Sequence, residues 1–324
     1  MSGAPDEPDL DRTGGVKRLR GHAYGGLFAV CALVSVLTTV AIVLTLLSDA
    51  VSFFAAYPVA EFLTGTEWSP GNFGGGADFG IVPLLIGTLA VTAVAALVAI
   101  PVGTLTAVYL SEYASTRARA ILKPLLEVLA GVPTVVYGYF ALVYVTPALK
   151  ATLFPSMATF NALSAALMVG IMTIPMVSSI SEDAMNAVPD ELRQAGYGLG
   201  ATKYDVSTGV VVPAAISGIV SSYVLALSRA VGETMIVVVA MGAQAKMPPV
   251  RDALGVVPYV HPGDVLLEPG QTITVAMVQV AGGDLTGGSL AYDALFALGL
   301  ALFVVTLMMN VIGDLVAQRY REVY

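Results

Sequence analysis

No residue from Tyr24 to Leu47 carries a charge, and apolar stretches of similar length recur at about 82–110, 128–149, 158–181, 213–242 and 291–313. At ~1.5 Å of rise per helical residue, each can cross the ~30 Å hydrocarbon layer of a bilayer. A backbone in hydrocarbon finds no water, so a stretch of this kind is stable only as a helix that satisfies its own N–H and C=O groups. The sequence therefore predicts an all-α integral membrane fold with six transmembrane helices. Arg229 and Glu233 interrupt the fifth stretch, which leaves five spans plus a broken or re-entrant segment as the alternative. Pro83, Pro101, Pro133 and Pro175 fall at or inside spans and mark kinks or local breaks.

Composition closes off other classes. Hydrophobic residues make up 56% of the chain and charged residues 12%, against about a quarter charged in soluble domains. A net charge of −8, with no dense cluster of Lys and Arg, excludes a nucleic-acid surface. The single cysteine, Cys31, permits neither an intrachain disulfide nor a thiolate metal cage. His22 and His261 sit in no HExxH-type pattern, and no paired carboxylates within a span suggest metal-dependent catalysis, so no metal site and no catalytic constellation is expected.

Residues 1–22, rich in Pro, Gly, Asp and Arg, read as a solvated, disordered tail, and residues 23–324 as one membrane domain. The first apolar stretch reads as a retained span rather than a signal peptide, because Ser48-Asp49-Ala50 is a poor small-residue cleavage site. Lys and Arg concentrate in alternate connections: Arg12, Lys17, Arg18 and Arg20; Arg117, Arg119 and Lys123; Arg193 and Lys203; Arg319 and Arg321. The positive-inside rule places these segments, and with them both termini, in the cytoplasm of a multi-pass cell-membrane protein.

The cytoplasmic segment 182–212 holds a candidate helix. Pro189 sits at its start, Asp190 and Glu191 in its first turn, where the helix dipole favours acids, and Gly200 near its end. Local chemistry alone also allows a plain solvated connector. The spacing, however, resembles the cytoplasmic motif of importers driven by ATP-binding cassettes: EAA, three residues, Gly, nine residues, then I-x-LP. Here the motif positions hold Gln194-Ala195-Gly196, Gly200, Val210, Val212 and Pro213. The resemblance implies a helix that docks on a cytoplasmic ATPase. Gln194 replaces the family's Glu and Gly196 its second Ala, so the charge of that contact is missing.

The segment SRAVGETM puts Arg229 and Glu233 four residues apart, hence on one face of a continuous helix, in a stretch otherwise uncharged from Val206 to Ala245. Insertion scales put a central charge at roughly +2.5 to +3.5 kcal/mol, so the pair should face the bundle interior or a wet pathway. The bland reading is an ion pair that pins helices. The functional one is an anion pathway, since the guanidinium fork gives two parallel charge-assisted hydrogen bonds to an oxyanion. Glu233 would then hold Arg229 when the site is empty. Gly232 between them permits close helix approach or a bend.

SRAVGETM also resembles the RALGETM segment of the PstC family, permease subunits of phosphate ABC importers. FLTGTEWSP, FGIVPLLIGTL, LAGVPTVVYGYFAL and VAMVQVAGGDLTGGSLAYDALFALGL resemble the same family in the same order, and Met235 favours it over the sister PstA family, which reads GETAP there. The resemblance implies the type I ABC importer permease fold, with its core at about 82–315, and a role for Arg229 and Glu233 in the substrate pathway. It also implies a PstA-like second permease, two PstB-like ATP-binding subunits and a PstS-like extracytoplasmic phosphate-binding protein. The chain has no GxxxxGK[ST] loop, and no lysine follows a glycine, so it reads as a non-catalytic subunit that binds no nucleotide or other cofactor. The alternatives are a permease for sulfate, molybdate or tungstate, and an ion-coupled secondary transporter gated by the charged pair.

Overall fold

The computed structural model describes residues 15–71, 77–253, 257–283 and 289–319. Residues 1–14 of the tail, the glycine run at Gly74–Gly76 and Arg321 lie outside the described residues. In chain order the helices are α1 (Gly15–Ala56), α2 (Val59–Thr64), α3 (Val82–Val108), α4 (Thr116–Gly131), α5 (Thr134–Phe140), α6 (Thr146–Thr152), α7 (Ala162–Asn186) and α8 (Asp190–Gly198). They continue as α9 (Lys203–Val206), α10 (Val212–Ala214), α11 (Ile216–Val231), α12 (Met235–Ala240), α13 (Pro262–Leu266), α14 (Ile273–Gly282) and α15 (Leu290–Arg319). π turns extend α3 over Tyr109–Tyr113, join α5 to α6 over Ala141–Val145 and join α9 to α10 over Ser207–Val211. Two short antiparallel hairpins complete the described elements: β1 (Trp68–Ser69) with β2 (Asp78–Phe79), and β3 (Val250–Ala253) with β4 (Val257–Val260).

Arg20–Ala56, Val82–Tyr113, Ala162–Asn186 and Leu290–Arg319 are each long and apolar enough to cross a membrane. Two bent pairs pass the same test together: 116–131 with 134–152, bent by 89°, and 203–214 with 216–231, bent by 68°. Counted as one span each, the pairs bring the number to the expected six. Helix α1 begins at Gly15, inside the stretch the sequence assigns to the tail, and its side chains from Tyr24 to Ile42 are exposed on every face. An apolar surface all round an uncovered helix is what a lipid solvent selects.

The span boundaries differ from the sequence expectation for local reasons. The third was expected at 128–149, but the ring of Pro133 forces Val132 into extended backbone (φ −66°, ψ 130°), so residues 128–131 end α4 and the crossing half starts at Thr134. The fourth starts later than expected because Asn161 caps it, its Oδ1 accepting from the Ser164 N–H at 2.8 Å. It also runs past Ser181 into the predicted connector, where the Glu182 charge that suggested an end is met by Lys123 Nζ at 3.1 Å. The fifth, expected over 213–242 with a broken or re-entrant segment as the alternative, stops at Val231 and resumes as α12.

Helices α3 and α7 form the centre of the bundle. They approach closely because glycine stands at the crossing: a Cβ on Gly103 would lie 2.6 Å from the Val177 Cβ, and one on Gly170 2.9 Å from the Val98 Cβ. The mid-bundle core gathers Val91, Ala95, Ala165, Val169, Ile236 and Val237, all at most 1% exposed. A second core lies beyond it, where Phe53 meets Phe54, Phe62 and Phe79 edge to face at 5.2–5.7 Å and Trp68 packs on Phe79.

Candidate functional site in the membrane and its cytoplasmic docking segment

Arg229 lies in the last turn of α11. The helix ends two residues later, with Gly232 as its cap and Glu233 on the irregular backbone before α12. Glu233 is 8% exposed, and its Oε1 accepts from the Ile236 N–H at 3.2 Å, so the carboxylate occupies the positive end of the short helix α12. Its carbonyl accepts from Thr274 Oγ1 at 2.9 Å, which ties the break to α14. This corrects the expectation that Arg229 and Glu233 share one helical face. The break turns the carboxylate away, and among the described residues the two form no ion pair. Close helix approach does not require glycine at position 232: its φ is −83°, and a Cβ there would meet only Ser228 O at 3.6 Å and Arg229 O at 3.8 Å, ordinary contacts.

The Arg229 side chain lines a cavity of about 390 Å³ between α4, α7 and α11, together with Lys123, Glu127, Met172, Ser179 and Glu182. That size falls in the range of small-ligand sites. Glu182 is buried to 1% and answered by Lys123 Nζ at 3.1 Å and Arg119 Nε at 3.8 Å, so its charge is balanced within the wall. The Arg229 guanidinium has no such partner among the described residues, and an unopposed guanidinium on a cavity wall attracts an anion able to accept its paired N–H groups. The sequence reading did not anticipate Lys123, Glu127 or Glu182 at this cavity. Lys123 counted only as a marker of topology, and Glu182 as the first residue of a connector. The amphipathic pattern of α4 was the available signal.

The segment expected to dock on an ATPase contains the predicted helix. Pro189 caps α8, whose first turn carries Asp190 and Glu191. The helix closes on Gly200, which adopts φ +82° and donates its N–H to Tyr197 O at 2.9 Å, while the Ala201 N–H reaches Gly196 O at 3.2 Å. This paired 5→2 and 6→1 arrangement satisfies the last carbonyls of the helix and needs a residue without Cβ strain at position 200. Gln194 and Ala195 are exposed. Gly196 faces α9, where a Cβ would stand 2.9 Å from Val206 Cγ2, so the glycine that replaces the family's alanine lets the two helices close up. A capping box of Thr202 and Asp205 starts α9, and the Thr202 hydrogen bonds hold the Asp205 carboxyl below its ordinary pKa. Val210 lies in the following π turn and Pro213 in α10, just before the 68° bend into α11. Leu199, Tyr197 and Tyr204 remain 91%, 43% and 67% exposed, an apolar tip on a cytoplasmic-type loop.

Residues 99–322 match the family of the binding-protein-dependent transport system inner membrane component. The probable ABC transporter permease protein YqgH of Bacillus subtilis is 32% identical over 285 residues, covering 87% of this chain and 86% of that one. The phosphate transport system permease protein PstC of Xylella fastidiosa strain 9a5c is 32% identical over 279 residues, covering 80% and 79%. Among solved structures, the bacterial ABC transporter that imports alginate covers 93% of this chain and 99% of its own at a TM-score of 0.60 with 13% identity. The MetNI methionine ABC transporter in an inward-facing conformation covers 75% and 94% at a TM-score of 0.52 with 14% identity. At such identities the structures establish the fold alone, that of type I ABC importer permeases, and the sequence relatives carry the rest. The chain is a multi-pass membrane permease belonging to the binding-protein-dependent transport system inner membrane component family, alongside the PstC permeases.

Proposed function

We propose that this chain forms one half of the translocation pathway of an ATP-driven importer of inorganic phosphate. The observation that carries the reading is the Arg229 guanidinium, unpartnered among the described residues, on the wall of the cavity between α4, α7 and α11. The names of its PstC relatives supply the substrate. In this reading Arg229 receives the anion, and Glu233 acts on the break itself: it fixes the start of α12 and leaves the guanidinium free. Conduction requires that the anion also leave, and a single arginine on a wall that also carries the acids Glu127 and Glu182 suits transient binding.

A PstA-like permease pairs with this chain and completes the pathway. A PstS-like protein delivers phosphate from outside, and two PstB-like ATPases drive the cycle, one of them docking on α8 through Gln194, Ala195, Gly196 and the turn at Gly200. Both termini face the cytoplasm, as the Lys and Arg of alternate connections favour. Opening and closing of the two halves around the Arg229 region then alternates access.

The test is ATP-dependent uptake of labelled phosphate into vesicles holding the reconstituted complex, with native chain or Arg229→Gln and with sulfate as competitor. Uptake that resists sulfate and falls by at least about tenfold in the variant, the loss of one charge-assisted contact, is the expected result. Full uptake in an assembled Arg229→Gln complex would remove Arg229 from the pathway. Sulfate uptake without phosphate uptake would move the substrate to another oxyanion.

A further inference from the structure

Helix α8 follows α7 after only Ala187, Val188 and Pro189, so a force on α8 reaches α7 along the chain. Nothing covalent carries it to α3, the partner with which α7 is most closely packed. A direct contact from α8 to the end of α3 is made by Arg193, in the middle of α8. Its guanidinium donates to Glu112 Oε1 at 3.2 Å, to Met185 O at 2.8 Å, to Val188 O at 2.5 Å and to Asp190 Oδ1 at 3.2 Å. Glu112 belongs to the π turn that ends α3, and Met185 to the last turn of α7. The ion pair is sheltered, with the Arg193 side chain 15% exposed and that of Glu112 4%.

The chemistry suits arginine specifically. The carbonyls of Met185 and Val188 lie at the negative end of the α7 dipole, Met185 O already accepting from the Val188 N–H at 3.2 Å, and a planar multi-donor cation can serve both of them and a carboxylate at once. The same π turn holds the other side of the loop, since Lys203 Nζ of α9 stands 5.2 Å from the centre of the Tyr113 ring. Ser111 Oγ, one residue before Glu112, lies 3.0 Å from Glu112 Oε1 and 3.1 Å from Asn186 Oδ1 and can give its single proton to either, so it stands between the ends of α3 and α7. The terminal turn of α3 is thus a clasp around the docking segment.

We propose that Arg193 is a positioning residue that makes α8, α3 and α7 move as one body, through Glu112 and the carbonyls of Met185 and Val188. This rests on the reading of α8 as the ATPase contact. Without the clasp, a push on α8 would turn that helix about Pro189 and leave α3 behind, so ATP would be hydrolysed with less substrate moved.

The reconstituted complex tests this through the ratio of phosphate imported to ATP hydrolysed, in native chain, Arg193→Met and Glu112→Gln. The ratio is expected to fall by about tenfold in both variants, the equivalent of one charged hydrogen bond, and by less in Arg193→Lys, which keeps the charge but not the fork. A purely structural role lowers uptake and hydrolysis together, and an unchanged ratio in the variants would overturn the proposal. Glu112→Gln keeps size and hydrogen-bonding capacity, so it decides the matter if Arg193→Met does not assemble. A second readout does not depend on the substrate: nitroxide labels at Glu191→Cys and Leu105→Cys, with Cys31→Ser. The native complex should keep one narrow distance through the nucleotide cycle, and Glu112→Gln should broaden it. A native distance that shifts when ATP binds would overturn the clasp, whereas a native complex that hydrolyses ATP without importing phosphate would overturn only the substrate reading.

Discussion

Arg229 and Glu233 stand four residues apart in the chain and form no ion pair among the described residues, whereas Arg193 and Glu112 stand 81 residues apart and meet at 3.2 Å. The spacing of the first pair has geometric meaning only along a continuous helix, and α11 stops at Val231, between them. The second pair is made where α8 meets the ends of α3 and α7. At the break after α11, charges kept apart leave a cation without a counter-charge among the described residues. At the ends of α3 and α7, charges brought together tie α8 to the bundle.

The contrast can be broken most forcefully at the joint. Glu112→Ala leaves the sheltered Arg193 with its backbone acceptors but without its counter-charge, and should cost about 2–3 kcal/mol of stability, read from the unfolding midpoint in detergent. A cost near zero would mean that the carbonyls alone hold Arg193. Glu233→Ala should cost about 1 kcal/mol, the value of a lost helix cap, because its carboxylate answers a backbone N–H and no cation. If that loss equalled the Glu112→Ala loss, Glu233 would be serving as an ionic partner after all.

Gly232→Ala addresses the break. The added Cβ meets nothing closer than 3.6 Å, so stability should stay within about 0.5 kcal/mol of native. Its effect on phosphate uptake then reports whether the bend itself matters, and a large loss of stability would contradict the open space around Gly232. The smallest effect belongs to the capping box of α9. The folded pKa of Asp205 lies below the model-compound value of 3.8, so its contribution is complete above that value and fades as pH falls through the lower folded pKa. Hydrogen exchange at the Asp205 amide should speed up in that acid range in the native chain and show no such step in Thr202→Ala. Exchange that does not respond to pH beyond the intrinsic chemical rate would rule the cap out.

Much of this architecture was legible in the residue order. Each apolar stretch betrayed a helix because hydrocarbon forbids any other lone backbone arrangement, and the turn at Gly200 was visible because a helix-closing residue in left-handed backbone is nearly always glycine. Pro133 announced a break but not its direction, so the third span was placed several residues early. The extent of α7 was hidden for a different reason: Glu182 looks like a helix end until Lys123, from another helix, neutralises it.

The sequence by itself determined that the chain crosses a membrane by helices, and where α8 begins and closes. These follow from length, hydropathy and local backbone chemistry, which act over a few turns. Tertiary structure alone decided that Glu233 turns away from Arg229 at the break, that Lys123 and Glu182 share a cavity wall with Arg229, and that Arg193 clasps Glu112. A charge at a given position has no meaning of its own in a low-dielectric bundle, since its energy depends on which distant helix brings the opposite charge to it.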